Sequence, residues 1–501
     1  MQELAFSPFG LRRCLAVLTV LLSLSTVRAA AQLPEPAPSP AIPIQTSTSA
    51  PTKRPAIQIM RFNEDWSVLQ NPALRTDSLD SIKYIPLSRS QPDKYVSIGG
   101  EFRGTFEQVK NDNFTQTPFP VYRFGMERFQ LFADLHLDPR VRFFIQLESG
   151  LEQNRAGGPR PIDEKKLDLL NAFVDLRPLP SNRGPLLRVG RQEFNFGSGR
   201  LIAVREGPNV RQGFYGFDVR QQVGRWTIDG VAARPAKDNP GYFDNIPLSS
   251  TGFWTVYSSR AGKAASGTGY DLYYIGLDRK SATFQAGTAR ELRHTFGGRI
   301  VRPAPAEGQK SMVPHFDIES VVQTGTFGTR DILAWTVSGE FGYILQASRM
   351  KPHIGIRADV SSGDGGNPSK PLGTFNPIFP LGGYFGVISD TGPGPVNFRD
   401  LRPDLQLTVH RGVTVDSSWV FYWRQSLKDG VYGVPGNLLV PTPDTNERFV
   451  GHRPGIQARW QITSHAYVQG DYGVFFAGEF MKAAGRPHNL NYASAWIGYK
   501  F

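Results

Sequence analysis

Arginine recurs at short intervals in one glycine-rich stretch, LRVGRQEFNFGSGRLIAVREGPNVRQGFYGFDVR, which runs from Leu187 to Arg220. Its arginines are Arg188, Arg191, Arg200, Arg205, Arg211 and Arg220. The planar guanidinium stays charged at accessible pH and pairs with a carboxylate through two parallel hydrogen bonds. Glycine lets the backbone bend and approach another surface closely. We therefore predict a basic loop that folds inward between two strands, with the chemistry to attract anions.

The elements that would position this loop are strands. In RFQLFADLHL the odd-numbered residues from Phe129 to Leu137 are apolar, whereas Arg128, Gln130 and Asp134 lie on the opposite face. The same alternation recurs from Tyr95 to the last residues, YASAWIGYKF. A period of two residues is typical of a strand with one apolar face.

The number and length of these strands decide the fold class. We count about 18 alternating segments of about 8–12 residues, a length that crosses a bilayer when the strand is tilted. Aromatic residues at strand ends would suit interfacial girdles, and they are Tyr122, Trp226, Trp254, Tyr343, Trp419, Trp423, Trp460, Tyr499 and Phe501. The sequence therefore predicts an all-β fold, a closed transmembrane antiparallel barrel of 18 strands around an aqueous lumen.

The amino terminus predicts export. Arg12 and Arg13 precede a short apolar stretch and the small residues Ala29 to Ala31, the pattern of a secretory signal peptide cleaved near Ala31. The single cysteine, Cys14, lies in this leader, which excludes disulfides and cysteine metal sites from the mature chain. We assign residues 1–31 to the signal peptide, 32–60 to a flexible proline-rich segment, 61–94 to a periplasmic lead-in and 95–501 to the barrel.

The connections between strands predict sidedness. Short turns such as Leu137 to Arg140 and Val223 to Arg225 are expected on the periplasmic side. Long glycine- and proline-rich connections are expected outside the cell: Pro235 to Thr251, Gly363 to Leu401, and Lys428 to Pro454.

Strand parity then places charged side chains in the lumen. Parity predicts that the pore is lined by Arg103, Arg128, Asp134, Arg142, Glu148, Asp175, Arg188, Arg220, Arg357, Asp359 and Arg459, and the basic loop adds Arg191, Glu193, Arg200 and Arg205. A ring of arginines at a constriction would favour anions, and interleaved carboxylates would keep a polyanion from binding too tightly to leave. The alternative is that these ion pairs only solvate the lumen. We expect few inward aromatic residues, namely Phe132, Phe144 and Phe173, which argues against an aromatic track for sugars.

Several motifs in order along the chain resemble the alginate export family of outer-membrane proteins. They are NEDWSVLQNP and KYIPL near the start, then GRQEF, GSGRLI and GFYGFDVR, then LRHTFGGRI, the stretch from Ser362 to Pro380, NFRDLRPDLQL and WRQSLKDGVYG. Together they span about Arg61 to Phe501.

The resemblance implies an 18-stranded barrel that passes an anionic polysaccharide, alginate or a similar uronate polymer, through an arginine-lined constriction. It places Arg191 and Glu193 in the GRQE motif, Arg200 in the GRL motif, and Asp359 and Asp364 beside SGD. The implied partners are outer-membrane lipid, the polysaccharide, periplasmic export components and the barrel-assembly machinery, for which the terminal Phe501 resembles the recognition signal. The implied location is the Gram-negative outer membrane after Sec-type export.

The sequence raises three alternative functions. A general porin, or one specific for organic anions or sugars, would share the fold and differ only at the constriction. An enzyme is not expected because the eight histidines are scattered and no G-x-S-x-G motif occurs. The pI of about 9.7 fits a nucleic-acid binder, but the basic residues are spread over many strands. No cofactor is expected, and SSGDGGN lacks the spaced carboxylates of a calcium loop.

Overall fold

The structure, a computed structural model, describes residues 54–501 except 118–119, 180–183, 263–266, 305–313 and 384–391. The predicted signal peptide and the proline-rich residues up to 53 lie outside the described residues. In the described part of the chain, no helix has the length and apolar character needed to cross a membrane.

One antiparallel sheet forms the framework of the described chain. Its 18 long strands are β1 Tyr95–Lys110, β2 Tyr122–Asp138, β3 Val141–Gln153, β4 Lys165–Leu176, β5 Leu186–Gln192, β6 Phe214–Val223, β7 Trp226–Lys237, β8 Thr251–Arg260, β9 Gly269–Phe284, β10 Gly287–Arg302, β11 His315–Phe327, β12 Arg330–Ile344, β13 His353–Ser361, β14 Phe398–His410, β15 Val413–Arg424, β16 Phe449–Gln461, β17 Ala466–Ala477 and β18 Leu490–Lys500.

Short strands and single helical turns are attached to this sheet. Two-residue strands, Ile85–Pro86 and Ile246–Pro247, extend the sheet beside β1 and β7, and Val431–Tyr432 pairs with Leu438–Val440. The helices within the described residues are the 3-10 turns Arg61–Asn63, Ser67–Gln70, Pro72–Leu74 and Asp112–Phe114, and the α-helical turns Asp80–Lys83 and Glu479–Ala483.

The sheet closes on itself between its first and last strands. β1 pairs with β18 from Glu101↔Lys500 to Lys110↔Asn491. Beyond the last ladder pair, the backbone N–H of Phe501 donates to the carbonyl of Gly100 (2.9 Å), and the Gly100 N–H donates back (2.8 Å). The predicted 18-stranded antiparallel barrel is therefore confirmed, and the carboxyl-terminal residue has its backbone hydrogen bonds because no sheet edge remains.

The two faces of the wall differ as the alternation predicts. The outward face carries exposed apolar side chains, including Val189, Phe217, Leu272, Phe296, Leu333, Trp335, Tyr343, Trp419 and Trp460. A surface this apolar is stable against lipid rather than water. Tyr122 is an exception to the predicted girdle, because its hydroxyl donates to Asp112 (2.6 Å) and its ring packs on the inward Phe124.

The strand ends define two rims. The terminal rim carries both ends of the barrel, together with two-residue turns at 139–140, 224–225 and 411–412. The opposite loop rim carries the long connections 193–213, 238–250, 362–397 and 425–448. This separation of short and long connections agrees with the predicted one, although the two-residue turns 285–286 and 328–329 also lie at the loop rim.

Residues 54–94, the docking segment, pack against the barrel at the terminal rim. Arg54 pairs with Asp80 (2.8 Å), and the His465 ring in a turn of the rim hydrogen-bonds Asp77 (2.7 Å). Trp66 and its neighbours pack on Tyr84 and Tyr95. Residues 54–60, assigned from sequence to the flexible segment, are thus part of the docked structure.

Lys83 in this segment has a buried ammonium group that meets no hydrogen-bond acceptor in the described residues. Its side chain is 1% exposed and its Nζ lies over the Trp66 and Phe132 rings, 5.3 and 5.1 Å from their centroids. Burial first, and then Arg61 and Arg54, lower the pKa of Lys83 from 10.5 to about 7, against the opposing effect of Glu64 and Asp77.

We predict that the docking segment binds the barrel more tightly as pH rises, because of Lys83. Undocked Lys83 binds more protons than docked Lys83 between about pH 7 and 10.5, so docking strengthens as pH rises through that window, by up to ~1.4 kcal/mol per unit. Limited proteolysis of the segment, corrected for protease activity at each pH, measures this. Lys83→Met should dock more tightly and lose the dependence. An unchanged dependence in Lys83→Met would assign it to other groups.

Candidate functional site in the lumen

The loop between β5 and β6, residues 193–213, folds into the barrel and narrows its lumen. Its backbone pairs with the β13–β14 connection: Phe379 N–H donates to Leu201 (2.8 Å) and Ala203 N–H donates to Phe379 (3.0 Å). Gly197 has φ of +56°, and a Cβ there would lie 2.1 Å from the Tyr257 hydroxyl. The predicted inward basic loop is confirmed, and one of its glycines is required by both conformation and space.

Apolar side chains anchor this inserted loop. Phe194, Leu201 and Ile202 pack against inward residues of β6–β12. They also pack against Leu372, Phe375 and Ile378 of the β13–β14 connection. The expectation of few inward aromatic residues is therefore wrong. The inward aromatic set includes Phe214, Phe253, Tyr257, Tyr273, Phe284, Phe327, Tyr422, Tyr467 and Phe475. Most of them are buried under the loops and do not form an open track.

A cluster of guanidinium groups holds the tip of the inserted loop. Arg103 on β1 donates to the carbonyls of Glu206 (2.7 Å) and Pro208 (3.1 Å). Arg128 on β2 donates to Glu101 (2.7 Å) and also binds the Glu206 carboxylate. Arg128 Nε and Nη1 meet no hydrogen-bond acceptor in the described residues. This cluster therefore has donors beyond those that its own carboxylates use.

Glu206 is the acidic residue that these arginines share. Its carboxylate lies 3.8 Å from Arg103, 2.5 Å from Arg128 and 3.6 Å from Arg211. Its side chain is 29% exposed, whereas those of Arg103 and Arg128 are 1% and 0% exposed. Glu206 is thus the most exposed member of an otherwise buried cluster.

The other charged side chains of the cluster each lie next to an oppositely charged group. Arg211 Nε donates to Glu193 (2.9 Å), which also accepts from Asn171 (3.0 Å). Glu148 accepts from Gln130 (2.9 Å) and lies 3.7 Å from Lys165. Removing one partner from such a buried pair typically costs about 3–5 kcal/mol, because the other charge remains without compensation.

Two pairs of arginines face each other across neighbouring strands. Arg103 is directly opposite Arg128 in the β1–β2 ladder, and Arg357 is directly opposite Arg402 in the β13–β14 ladder. Like charges at directly opposite positions destabilise a sheet. Such a pair occurs twice on the inner face of the barrel, and the four strands β15–β18 lie between the two sites. Each opposed pair of guanidinium groups is compensated by carboxylates beside it on the inner face.

The second pair, Arg357 and Arg402, lies on the open wall, by which we mean the partly exposed inner face of β13–β16. Arg357 pairs with Glu340 (3.1 Å), and its side chain is 14% exposed. Farther along this wall, Arg459 on β16 stacks over the Tyr467 ring, 4.0 Å from its centroid. Inward residues of β14–β16 remain partly exposed, including Arg402, Asp404, Gln406, Asp416, Gln457 and Arg459. This wall is accordingly where the lumen is least filled by loops.

Most of the predicted pore-lining residues lie in ion pairs inside the barrel. The pairs are Arg142–Asp134 (2.7 Å), Arg188–Asp175 (2.6 Å), Arg191–Asp168 (3.1 Å), Arg200–Glu319 (3.3 Å) and Arg220–Asp229. Glu148, Glu193 and Asp359 are also buried, and the Asp359 N–H donates to Asp400 (2.8 Å). Arg205 is half-buried in the inserted loop. Contact of any of them with a transported molecule stays a prediction.

Sequence reasoning missed Arg402 and Glu206. Arg402 shares parity with Asp400 and Asp404, but Pro403 interrupts the pattern. Glu206 lies in a loop without periodicity, so no sequence signal separates it from other loop acids. Asp364 pairs with Arg330 (2.9 Å) and accepts from the backbone N–H of Gly373 (3.3 Å). No group of metal-ligating residues occurs in the ranges that the structure describes.

A closed barrel with an apolar belt and a charged, loop-constricted interior is the architecture of a Gram-negative outer-membrane channel. The sequence profile described as alginate export matches residues 94–495. The chain therefore belongs to the alginate export family. No curated protein sequence matches it.

Solved structures of similar fold include OccAB1 of Acinetobacter baumannii, with 8% identity, a TM-score of 0.56, and coverage of 85% of this chain and 99% of that one. OccK8 (OprE) of Pseudomonas aeruginosa has 11% identity, a TM-score of 0.54, and coverage of 81% and 98%. OccK5 (OpdH) of the same organism has 13% identity, a TM-score of 0.53, and coverage of 81% and 98%. At these identities the likeness is one of fold.

Proposed function

We propose that this channel passes an anionic polysaccharide, alginate or a similar uronate polymer, through its arginine-bearing constriction. The observation that carries the proposal is the presence of two directly opposed arginine pairs on the lumen face, Arg103–Arg128 and Arg357–Arg402. Opposed guanidinium groups do not stabilise a sheet by themselves, and Arg357 and Arg402 lie on a part of the lumen face that is still partly exposed, where a passing anion can reach them.

The carboxylates around these arginines suit a polymer that has to be released from each binding site after it binds. Glu206 lies among Arg103, Arg128 and Arg211, where it competes with any incoming carboxylate. Conduction needs several sites of moderate affinity, and an acidic neighbour lowers the affinity of each site. Family membership supports the same substrate class.

A porin for small organic anions is the second candidate. It is favoured by the extent to which the lumen is filled, because the inserted loop and the β13–β14 connection pair across it. A narrow lumen passes small anions more readily than a hydrated chain of sugars. This candidate keeps the anion preference and differs only in the response to polymer.

Block of single channels by polymer separates the two candidates. The protein is reconstituted in a planar bilayer, and a uronate oligomer series is added to the side of the terminal rim. A polymer channel should show transient blocks whose duration increases with oligomer length, whereas a neutral glucan of equal length should cause none. A small-anion porin should be indifferent to both polymers, and that result would overturn the polysaccharide proposal.

A further inference from the structure

The docking segment enters the lumen from the terminal rim and reaches the constriction. The carbonyl of Ile59 accepts from Arg211 Nη2 of the inserted loop (3.0 Å). The carbonyl of Phe62 accepts from Arg142 Nη2 of β3 (2.8 Å). The tip of the segment, residues 58–64, therefore lies between the wall of the barrel and the loop that narrows it.

Phe62 covers a basic and aromatic part of the inner wall. Its ring packs edge-on against Phe144 and Phe173, with centroids 5.7 and 5.2 Å apart. The Arg188 guanidinium lies 4.5 Å from the centroid of the same ring. One side chain of the segment thus covers lumen surface on three neighbouring strands, β3, β4 and β5.

Arg61 fixes the tip to the line where the barrel closes. Its Nη1 donates to the Gly100 carbonyl of β1 (2.9 Å), and its Nη2 donates to the carbonyl oxygen of Phe501 (2.8 Å). Glu64 accepts from Arg61 Nε (2.6 Å) and from the Gln58 N–H (2.9 Å). The acceptors on the barrel are available only after β1 and β18 have paired.

The attachment of the tip is separable from the barrel. The segment joins the sheet only through Ile85–Pro86, which pairs with the first two residues of β1. Residues 58–64 add no strand to the wall, so the tip can leave without breaking any barrel ladder. The hydrogen bonds of Arg61, those that Arg142 and Arg211 donate to the tip, and the packing of Phe62 hold it.

We propose that residues 58–64 form a displaceable plug that closes the β1–β5 side of the lumen and that opens by withdrawal toward the terminal rim. Withdrawal exposes Arg142, Arg188 and Arg211 together with the rings of Phe144 and Phe173, so the open path gains basic and aromatic surface. Protonation of the buried Lys83 nearby weakens docking and favours the open state.

Release of the plug is tested by salt conductance, which does not depend on the identity of the polymer. The Arg61→Ala/Phe62→Ala variant should raise the unitary conductance in KCl by about twofold or more, because lumen cross-section is gained. Arg75→Ala, which alters the same segment outside the tip, is the matched control and should conduct like the wild type. Equal conductance of all three proteins would overturn the plug.

A cross-linking measurement keeps the proposal testable if that double variant does not fold. The mature chain has no cysteine if the leader ends near Ala31, so Phe62→Cys/Phe173→Cys introduces one defined pair. Unbridged, this protein should conduct more than the wild type, and a short bismaleimide should return it to the low level. Each single-cysteine variant treated with the same reagent is the control. Conductance that bridging leaves unchanged would show that the tip is a fixed part of the wall.

Discussion

Neutralising the open-wall arginine pair, in the variant Arg357→Gln/Arg402→Gln, is expected to reduce the anion-to-cation permeability ratio by about tenfold at low salt. A unit charge about 4 Å from a passing ion contributes ~1 kcal/mol even at the dielectric constant of water, and the variant removes two such charges. The effect should shrink toward 1 M salt, where the screening length is about 3 Å. Reversal potentials across a KCl gradient measure it.

Two matched variants show whether charge or shape is responsible. Arg357→Lys/Arg402→Lys retains the charge and should keep most of the selectivity, although it loses the bidentate geometry of the guanidinium. Arg290→Gln removes an exposed arginine, paired with Asp278, near the loop rim and should change nothing. Equal loss in all three variants, or no loss in the first, would contradict the role of the pair.

The second large effect is expected from Glu206→Gln. This change removes the carboxylate shared by Arg103, Arg128 and Arg211 while leaving the backbone carbonyl of residue 206 to accept from Arg103. Carboxylates of a polymer then meet a basic cluster without a competitor, so each block by a uronate oligomer should last about tenfold longer, equivalent to ~1.4 kcal/mol.

Glu206→Asp is the control for this variant, since it retains the negative charge with a shorter reach. It should show block durations near those of the wild type. Heat-modifiable electrophoretic mobility checks that each barrel is folded. Shorter blocks in Glu206→Gln than in the wild type would mean that Glu206 positions the loop for binding and does not compete with the polymer.

The wall of the barrel could be predicted from the sequence because lipid and water impose a strict period of two. Phe129 and Leu131 had to face outward once Arg128 and Gln130 faced inward, and the ladder from β1 to β2 keeps that register without a shift. The same reasoning extended to the last residue, where Phe501 completes the closure. Strand lengths were predicted less well, since the strands run from 7 to 17 residues.

The interior could be predicted only in part, because it depends on contacts between distant segments. Ile378 packs with Leu201 although the two are far apart in sequence, and nothing periodic marks either loop. Parity indicated that Arg142 and Arg188 point inward, but not that Phe62 covers them. The partners of a lumen arginine are therefore a property of the folded loops, whereas its direction is a property of the strand.

We expect the lumen to prefer anions, and the reversal potential of the wild-type channel measures that preference. The protein is placed between 0.1 M and 1 M KCl in a neutral planar bilayer, and the potential at zero current is read. We predict the sign that corresponds to chloride permeating faster than potassium, with a larger preference at lower mean salt. A reversal potential of the opposite sign, or one near zero at every salt concentration, would contradict the account.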